Sequence, residues 1–534
     1  MKEGPELVIG LVGAIGTDLA SVSESLQRQL TGVGYTSSEI RVSHLFHEVE
    51  PYSNLAAIQD REAYYEQHMN AGNDLCERLG RTDATALLAI LQVRDLRNER
   101  NTSLELDGRA PLRRHAFIIN SLKRPDEIKT LRKVYGDAFV LLGAYSSREG
   151  RRDTLAGRIA KSQNKDASDC RHIAERLITR DESEPITYGQ DVNRTFFQAD
   201  AFIDATEKRR ADESVRRFVD VVFGSPFETP TRDELGMQYA FVAALRSADV
   251  SRQVGAALCS EDGQVLAVGT NEVPKAGGGF HWAGEYDRRD FRFGEDEPNA
   301  EMKRLIMSDI VDRVRKELIA GLEPLREDEN EPLRENGLEP LRENEKLSDS
   351  VRDRFLNNVM GNIETSMQDS RLKDITEYGR TVHAEMAAIT DAARRGVSVS
   401  GAILFSTTFP CHNCAKHIVA AGIRELIYIE PYLKSQVARL FSDSIALERV
   451  PSERQVPFSP FVGFAPLRLV DFFWMRKRRD DDRHILNWEV IRSTAEPLLS
   501  GIPAAYLDIE KVKIVELKKA MANAGMAFRT GGEA

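Results

Sequence analysis

Thr381-Val382-His383-Ala384-Glu385, followed by Pro410-Cys411-His412-Asn413-Cys414, is the stretch on which the fold of this chain turns. It sets one imidazole and two thiols at metal-ligand spacing and leaves a carboxylate beside them. Thr381 suits the N-cap of a helix running through Met386, Ile389 and Ala393 to a stop at Gly396, with His383 and Glu385 in its first turn. Gly401 to Thr408 has the composition of a buried strand, and Pro410 can open a second helix with Cys411 and Cys414 one turn apart on one face. The positive ends of two helices then meet at the site, where they favour thiolates.

Three ligands without a convincing fourth is the pattern of a catalytic Zn2+ site, in which an open position lowers the pKa of bound water to about 7. His383, Cys411 and Cys414 are the expected ligands. Glu385 is the expected proton shuttle, taking the proton from that water and passing it to a ring nitrogen and then to a leaving amine. His-x-Glu joined to Pro-Cys-x-x-Cys is the signature of zinc-dependent base deaminases. His412 and His417 are read as surface or packing residues, and Cys76, Cys170 and Cys259 as reduced core thiols.

With 534 residues, 41% of them hydrophobic, the chain can build two or three domains. It contains no apolar run of membrane-spanning length, and its first residues lack the regions of a signal peptide, so a cytoplasmic location and no membrane partner are expected. A formal net charge of -11 and 7% aromatic content weigh against an extended polynucleotide surface.

Residues 233–475 read as one α/β unit. Leu235 to Ser247 is helical in pattern, Val254 to Ser260 and Gln264 to Thr270 form a hairpin at Asp262-Gly263, and Glu425 to Ile429 is a further strand. Ser435 to Ile445 reads as a helix before a last apolar strand, Phe461 to Leu469. A long insertion, 274–378, separates the hairpin from the zinc helix; it contains a helix over Met302 to Ile319 and a Glu-Pro-Leu-Arg repeat at Glu323, Glu331 and Glu339. Three short charged copies bury no core, so an exposed loop is expected.

Residues 1–222 read as a second α/β unit, and 476–534 as a helical extension with a helix at Ile509 to Ala524. Leu7 to Val12 is a buried strand that enters Gly13-Ala14-Ile15-Gly16-Thr17 and then a helix, the layout of a phosphate-binding loop. Asp18, Leu19 and Ala20 stand where that loop needs Gly, Lys and Ser or Thr, so Gly13, Gly16 and Thr17 are candidates for a degenerate nucleotide-binding turn. Ala116 to Asn120 and Ala138 to Leu142 continue the strand rhythm, and Arg148, Arg151 and Arg152 follow.

The element order of the second unit resembles the cytidine-deaminase-like fold. Over nearly its whole length the chain resembles the anti-phage dCTP deaminases, on Gly10 to Leu19, Ser121-Leu122-Lys123-Arg124-Pro125, Ser251-Arg252-Gln253-Val254-Gly255-Ala256, the two zinc motifs, and Glu430-Pro431-Tyr432-Leu433-Lys434-Ser435. The resemblance implies an N-terminal P-loop-kinase-like three-layer domain with a parallel sheet, fused to a C-terminal three-layer α/β/α deaminase domain with a long insertion. It implies Zn2+-dependent deamination of dCTP, with dCMP as the alternative, in defence against phage. It further implies a nucleotide effector, a small inhibitory RNA and a homo-oligomer. Asn271 matches the position of an asparagine near sugar and base, and equally suits a turn cap before Pro274. Ser251 and Arg252 are candidates for phosphate, Thr408 for the departing amine, Tyr432 for base or sugar and Lys434 for phosphate. The other classes are a polynucleotide deaminase, a housekeeping dCMP deaminase serving dTTP synthesis, and an idle zinc module.

Overall fold

The computed structural model describes residues 4–104, 107, 110–284, 289–292, 298–322, 349–368, 370, 372, 378–432, 435–447, 454–474, 477–499 and 505–529. The N-terminal part lays down β1 (Leu7–Val12), β2 (Thr36–Arg41), β3 (Val49–Glu50), β4 (His115–Asn120), β5 (Phe139–Tyr145) and β6 (Ala201–Asp204). β2, β4, β1, β5 and β6 lie side by side in that order, all parallel. A central parallel strand is covered on both faces, which is why Leu7–Val12 is an unbroken apolar run buried at every position. Leu7, Ile9 and Leu11 pack on Val22, Leu26 and Leu30 of the following helix, while Val8 and Val12 face Leu87 and Ile90 in the opposite layer.

The second sheet is built from β7 (Gly255–Cys259), β8 (Val265–Thr270), β9 (Ile403–Thr408), β10 (Glu425–Glu430), β11 (Ile445–Ala446) and β12 (Val456–Pro460), ordered β11-β12-β10-β9-β7-β8. β7 and β8 form the expected hairpin, closed by Gly263 at φ +84°. β9, β10, β12 and β11 run parallel. Both sheets are thus mixed α/β layers that contain parallel strands. Pleating divides the core: Ala256, Leu258 and Leu404 pack on the two zinc-motif helices, and Ala257, Cys259 and Phe405 on Met237 and Ala240 of the helix Arg232–Ala244.

Two expectations fail here. The parallel strand after β10 is Val456–Pro460, upstream of the predicted Phe461 to Leu469. That later segment instead crosses to the N-terminal sheet, where β13 (Gly463–Phe464) pairs antiparallel with β6. The cause is a buried carboxylate. Glu234 takes the Phe464 N–H at 2.8 Å and is itself gripped by both arms of Arg217, each at 2.8 Å, while the Phe464 ring stacks on Phe218 at 5.8 Å in the N-terminal core. Of the apolar residues between Phe461 and Phe473, Phe461, Phe464, Leu469 and Phe472 are buried, whereas Leu467 and Val470 are exposed. Of the predicted Ser435 to Ile445 helix only Val437–Leu440 is helical, because the chain turns at Ser442 to Ser444 to enter β11.

The chain's end returns to its beginning. Arg97, fully buried, binds Glu6 at 2.6 Å and Glu510 at 2.7 Å, and Tyr506 donates to Glu6 at 3.0 Å. The helix Tyr506–Asn523 lies on Ala84–Ser103, and β14 (Ala527–Phe528) pairs with β3. The insertion supplies helices Pro298–Leu322 and Asp349–Gln368, which pack together, whereas its Glu-Pro-Leu-Arg repeats lie outside the described residues. Among the described residues no helix is long and apolar enough to cross a membrane.

Candidate zinc centre and active site

Glu272 and Val382 exchange backbone hydrogen bonds at 3.2 and 3.1 Å, which keeps Thr381 and Val382 extended. The helix therefore starts at Ala384 with His383 as its N-cap, not Thr381, whose hydroxyl bonds Asp290 at 3.3 Å instead. Glu385 falls in the first turn as expected. Cys411 is the N-cap of the helix His412–Ala420, its sulfur accepting the Cys414 N–H at 3.5 Å. Pro410 precedes that cap and is anchored through its carbonyl, which accepts from the Ser435 hydroxyl at 2.8 Å.

These two helix starts bring the donors together. His383 Nδ1 lies 3.3 Å from Cys411 Sγ and 3.4 Å from Cys414 Sγ. All three ligand atoms lie within 4.8 Å of one another, and among the described residues no fourth His, Cys, Asp or Glu joins them. The hydrogen bond from Cys414 and the adjacent His383 hold the Cys411 thiol below its ordinary range, against the effect of burial. His383 is raised to about 9, chiefly by its hydrogen bond with Cys411. An imidazole and two sulfurs form the borderline-soft donor set that Zn2+ takes, so the residues fit the metal. Glu385 is buried, and that burial pushes its carboxyl above the ordinary range.

His383, Glu385 and Cys411 open onto a cavity of about 360 Å³. Ser251, Arg252, Asn271, Thr408 and Tyr432 all line it. Both ends of the Asn271 amide are engaged by backbone, Oδ1 accepting from Val254 N–H and Nδ2 donating to the Arg252 carbonyl, each at 2.8 Å. It therefore pins the segment that presents Arg252. The Arg252 guanidinium sits 5.5 Å from the Tyr432 ring centre. The Thr408 carbonyl accepts from the Ser406 hydroxyl at 2.7 Å. Lys434 lies outside the described residues.

Asp249, Asn299 and Lys303 also line the cavity and have no counterpart in the sequence reading. Asn299 and Lys303 stand one helical turn apart on a charged helix, a pattern that sequence alone cannot tell from a solvated face.

Gly13, Gly16 and Thr17 line a different cavity, of about 280 Å³, in the N-terminal sheet. There the glycine turn already holds an anion of the chain's own. Asp181, fully buried, accepts the Ile15 N–H at 2.7 Å, and Lys123 donates to Asp181 at 2.9 Å and to the Gly13 carbonyl at 3.2 Å. Arg148 and Arg151 are drawn to Glu182, at 2.5 and 2.9 Å.

Residues 230–430 match the family described as the cytidine and deoxycytidylate deaminase zinc-binding region. The chain is 47% identical over 55 residues to the deoxycytidylate deaminase of Enterobacteria phage T2, covering 10% of this chain and 29% of that protein. It is 37% identical over 79 residues to ComE operon protein 2 of Bacillus subtilis, 14% of this chain and 42% of that one. A crystal structure of dCMP deaminase from the cyanophage S-TIM5 in apo form aligns over 44% of this chain and 100% of its own, at 16% identity and a TM-score of 0.21. The chain thus spans less than half the length of these curated relatives. His383, Cys411 and Cys414 fall within the matched region and fit its zinc site.

Proposed function

We propose that this chain hydrolytically deaminates deoxycytidine nucleotides, dCTP first and dCMP as the alternative, to uracil nucleotides and ammonia. The observation that carries the reading is the placement of Glu385, buried two residues beyond the His383 cap and opening on the same cavity as His383 and Cys411. His383, Cys411 and Cys414 would hold Zn2+, which would supply Lewis-acid activation of water. Glu385, with its affinity for a proton raised by burial, is the group that accepts a proton from the attacking water and returns it first to the ring nitrogen beside the amine and then to the amine as it leaves. Asn271 holds the Arg252 wall in place, and Arg252 meets phosphate with its forked donors.

The finer reading, depletion of the deoxycytidine nucleotide pool in defence against phage, is supported by the joining of a degenerate phosphate-loop turn to this zinc region in one chain. In it the N-terminal P-loop-kinase-like part acts as scaffold or nucleotide sensor. A nucleotide effector binds the N-terminal domain or an allosteric site, a small RNA inhibits the enzyme, and the protein is a homo-oligomer. Asp181 seated in the glycine turn favours the scaffold role, since a phosphate there meets a carboxylate already in place.

The test is ammonia release from dCTP, dCMP, CTP and a cytosine-containing oligonucleotide with the purified zinc-loaded chain. Release from the oligonucleotide alone would transfer the protein to the polynucleotide class, and release from none would remove the enzymatic reading.

A further inference from the structure

His383 caps its helix and stands outside it: its carbonyl accepts the Ala387 N–H at 2.8 Å, but its own backbone is extended, at φ -67° and ψ 152°. The direction of its imidazole is therefore set by the residues before it as much as by the helix after it. Those residues are held from two sides. Val382 pairs with the backbone of Glu272, whose buried carboxylate accepts the N–H of Ala248 at 3.0 Å and of Val273 at 2.9 Å. The second hold comes from the insertion. Its consecutive residues Arg289 and Asp290 are both buried, and they carry opposite charges to the two segments of that pairing. Arg289 comes within 3.9 Å of Glu272, while Asp290 accepts from Arg380 on one oxygen at 2.9 Å and from the Thr381 hydroxyl on the other at 3.3 Å.

Buried ions demand partners, so this crosspiece has one register: a slip of one residue would set Arg289 toward Arg380 and leave Glu272 and Asp290 without their cations. It thereby fixes the path of residues 380–382, and with it the place of the imidazole, 3.3 and 3.4 Å from the two sulfurs. We infer that Arg289 and Asp290 of the insertion are positioning residues for the metal site, clamping the segment that enters His383 so that the three donors stand together before metal binds. The inference rests on the reading of His383, Cys411 and Cys414 as zinc ligands. It makes this part of the insertion a support of the zinc centre.

Zinc affinity of the full chain, measured by competition with a chromogenic chelator, and the absorption bands of the Co2+-loaded protein test it. Asp290→Ala is expected to weaken zinc binding about 10–100-fold, the usual effect of losing a group that orients a metal ligand. It should also change the Co2+ bands, which report the geometry of the donors. Asp290→Asn, which keeps an acceptor for Thr381, recovers part of the affinity, and Arg289→Met loosens the metal as well. Arg313→Ala breaks an exposed ion pair with Asp309 on the insertion helix and should leave affinity and bands as in the parent. Circular dichroism establishes which variants fold. Parental affinity and bands in Asp290→Ala, or in both Asp290→Asn and Arg289→Met should the alanine variant not fold, overturn the clamp, and so does equal loosening in Arg313→Ala. Ammonia release by the zinc-loaded parent tests the deaminase reading separately. A parent that binds zinc and releases no ammonia, with variants that loosen the metal, keeps the clamp and removes the reaction.

Discussion

Gly269 on β8 lies against the backbone of Ala384, so close that a methyl group at residue 269 would overlap the Ala384 carbonyl and crowd the Ala388 nitrogen. The helix that begins with His383 and Glu385 is therefore seated on the hairpin through a contact that only hydrogen permits. Gly269→Ala is expected to push that helix outward, to cost about 1–3 kcal/mol of stability as overpacking does, and to lower turnover by misplacing Glu385 against the metal donors. Thermal unfolding and ammonia release on the purified variant check it; wild-type values for both would show that the helix is free to shift.

Glu385→Ala removes the proton shuttle but no ligand. Zinc content by elemental analysis should match the parent, and turnover should fall by about 10²–10⁴-fold, the usual share of a general acid–base group. Cys414→Ser should lose metal and activity together, because a neutral hydroxyl is a poor replacement for a thiolate. Retained turnover in Glu385→Ala would end the assignment of the shuttle.

Asp181 is the buried counter-charge of Lys123 and the acceptor for the Ile15 amide. Asp181→Ala should destabilise the N-terminal sheet by about 3–5 kcal/mol, the cost of leaving a buried charge without its partner. Lys123→Met in the same chain should return part of it. Urea unfolding of the single and double variants measures this, and additive losses would mean the pair is not coupled.

His115 lies buried on β4 between the hydroxyls of Thr36 at 2.7 Å and Ser38 at 3.1 Å. Burial lowers its pKa from 6.5 to about 4. Below 6.5 the unfolded chain binds a proton that the folded chain refuses until about 4. The stability His115 contributes is thus complete above 6.5 and lost as pH falls toward 4, a change of roughly 3 kcal/mol at most. The unfolding free energy of His115→Gln should fall less between those limits than that of the parent. Parallel pH profiles would place the titrating group elsewhere.

The zinc site was legible because its parts are local. His383 and Glu385 are two residues apart, Cys411 and Cys414 one turn apart, and each pair is aimed by the helix start on which it sits. The hairpin at Gly263 and the Leu7–Val12 strand announced themselves in the same way, through a turn dipeptide and an apolar run. The choice of His383 over Thr381 as the cap was not local, for it depends on Glu272 pairing with Val382 more than a hundred residues away.

The sequence by itself determined the donor set, the carboxylate beside it and the kinds of layer that surround them, since periodicity and spacing within a few residues encode local backbone and side-chain direction. Tertiary structure alone decided that Lys303 reaches the cavity, that Phe464 joins β6, that Asp181 fills the glycine turn and that Glu510 meets Arg97. Each of these contacts is made by a charge or a ring whose partner lies far along the chain. Burial makes such partners obligatory, because an unpaired charge or polar group in the interior is costly, yet it leaves no periodic trace near either residue.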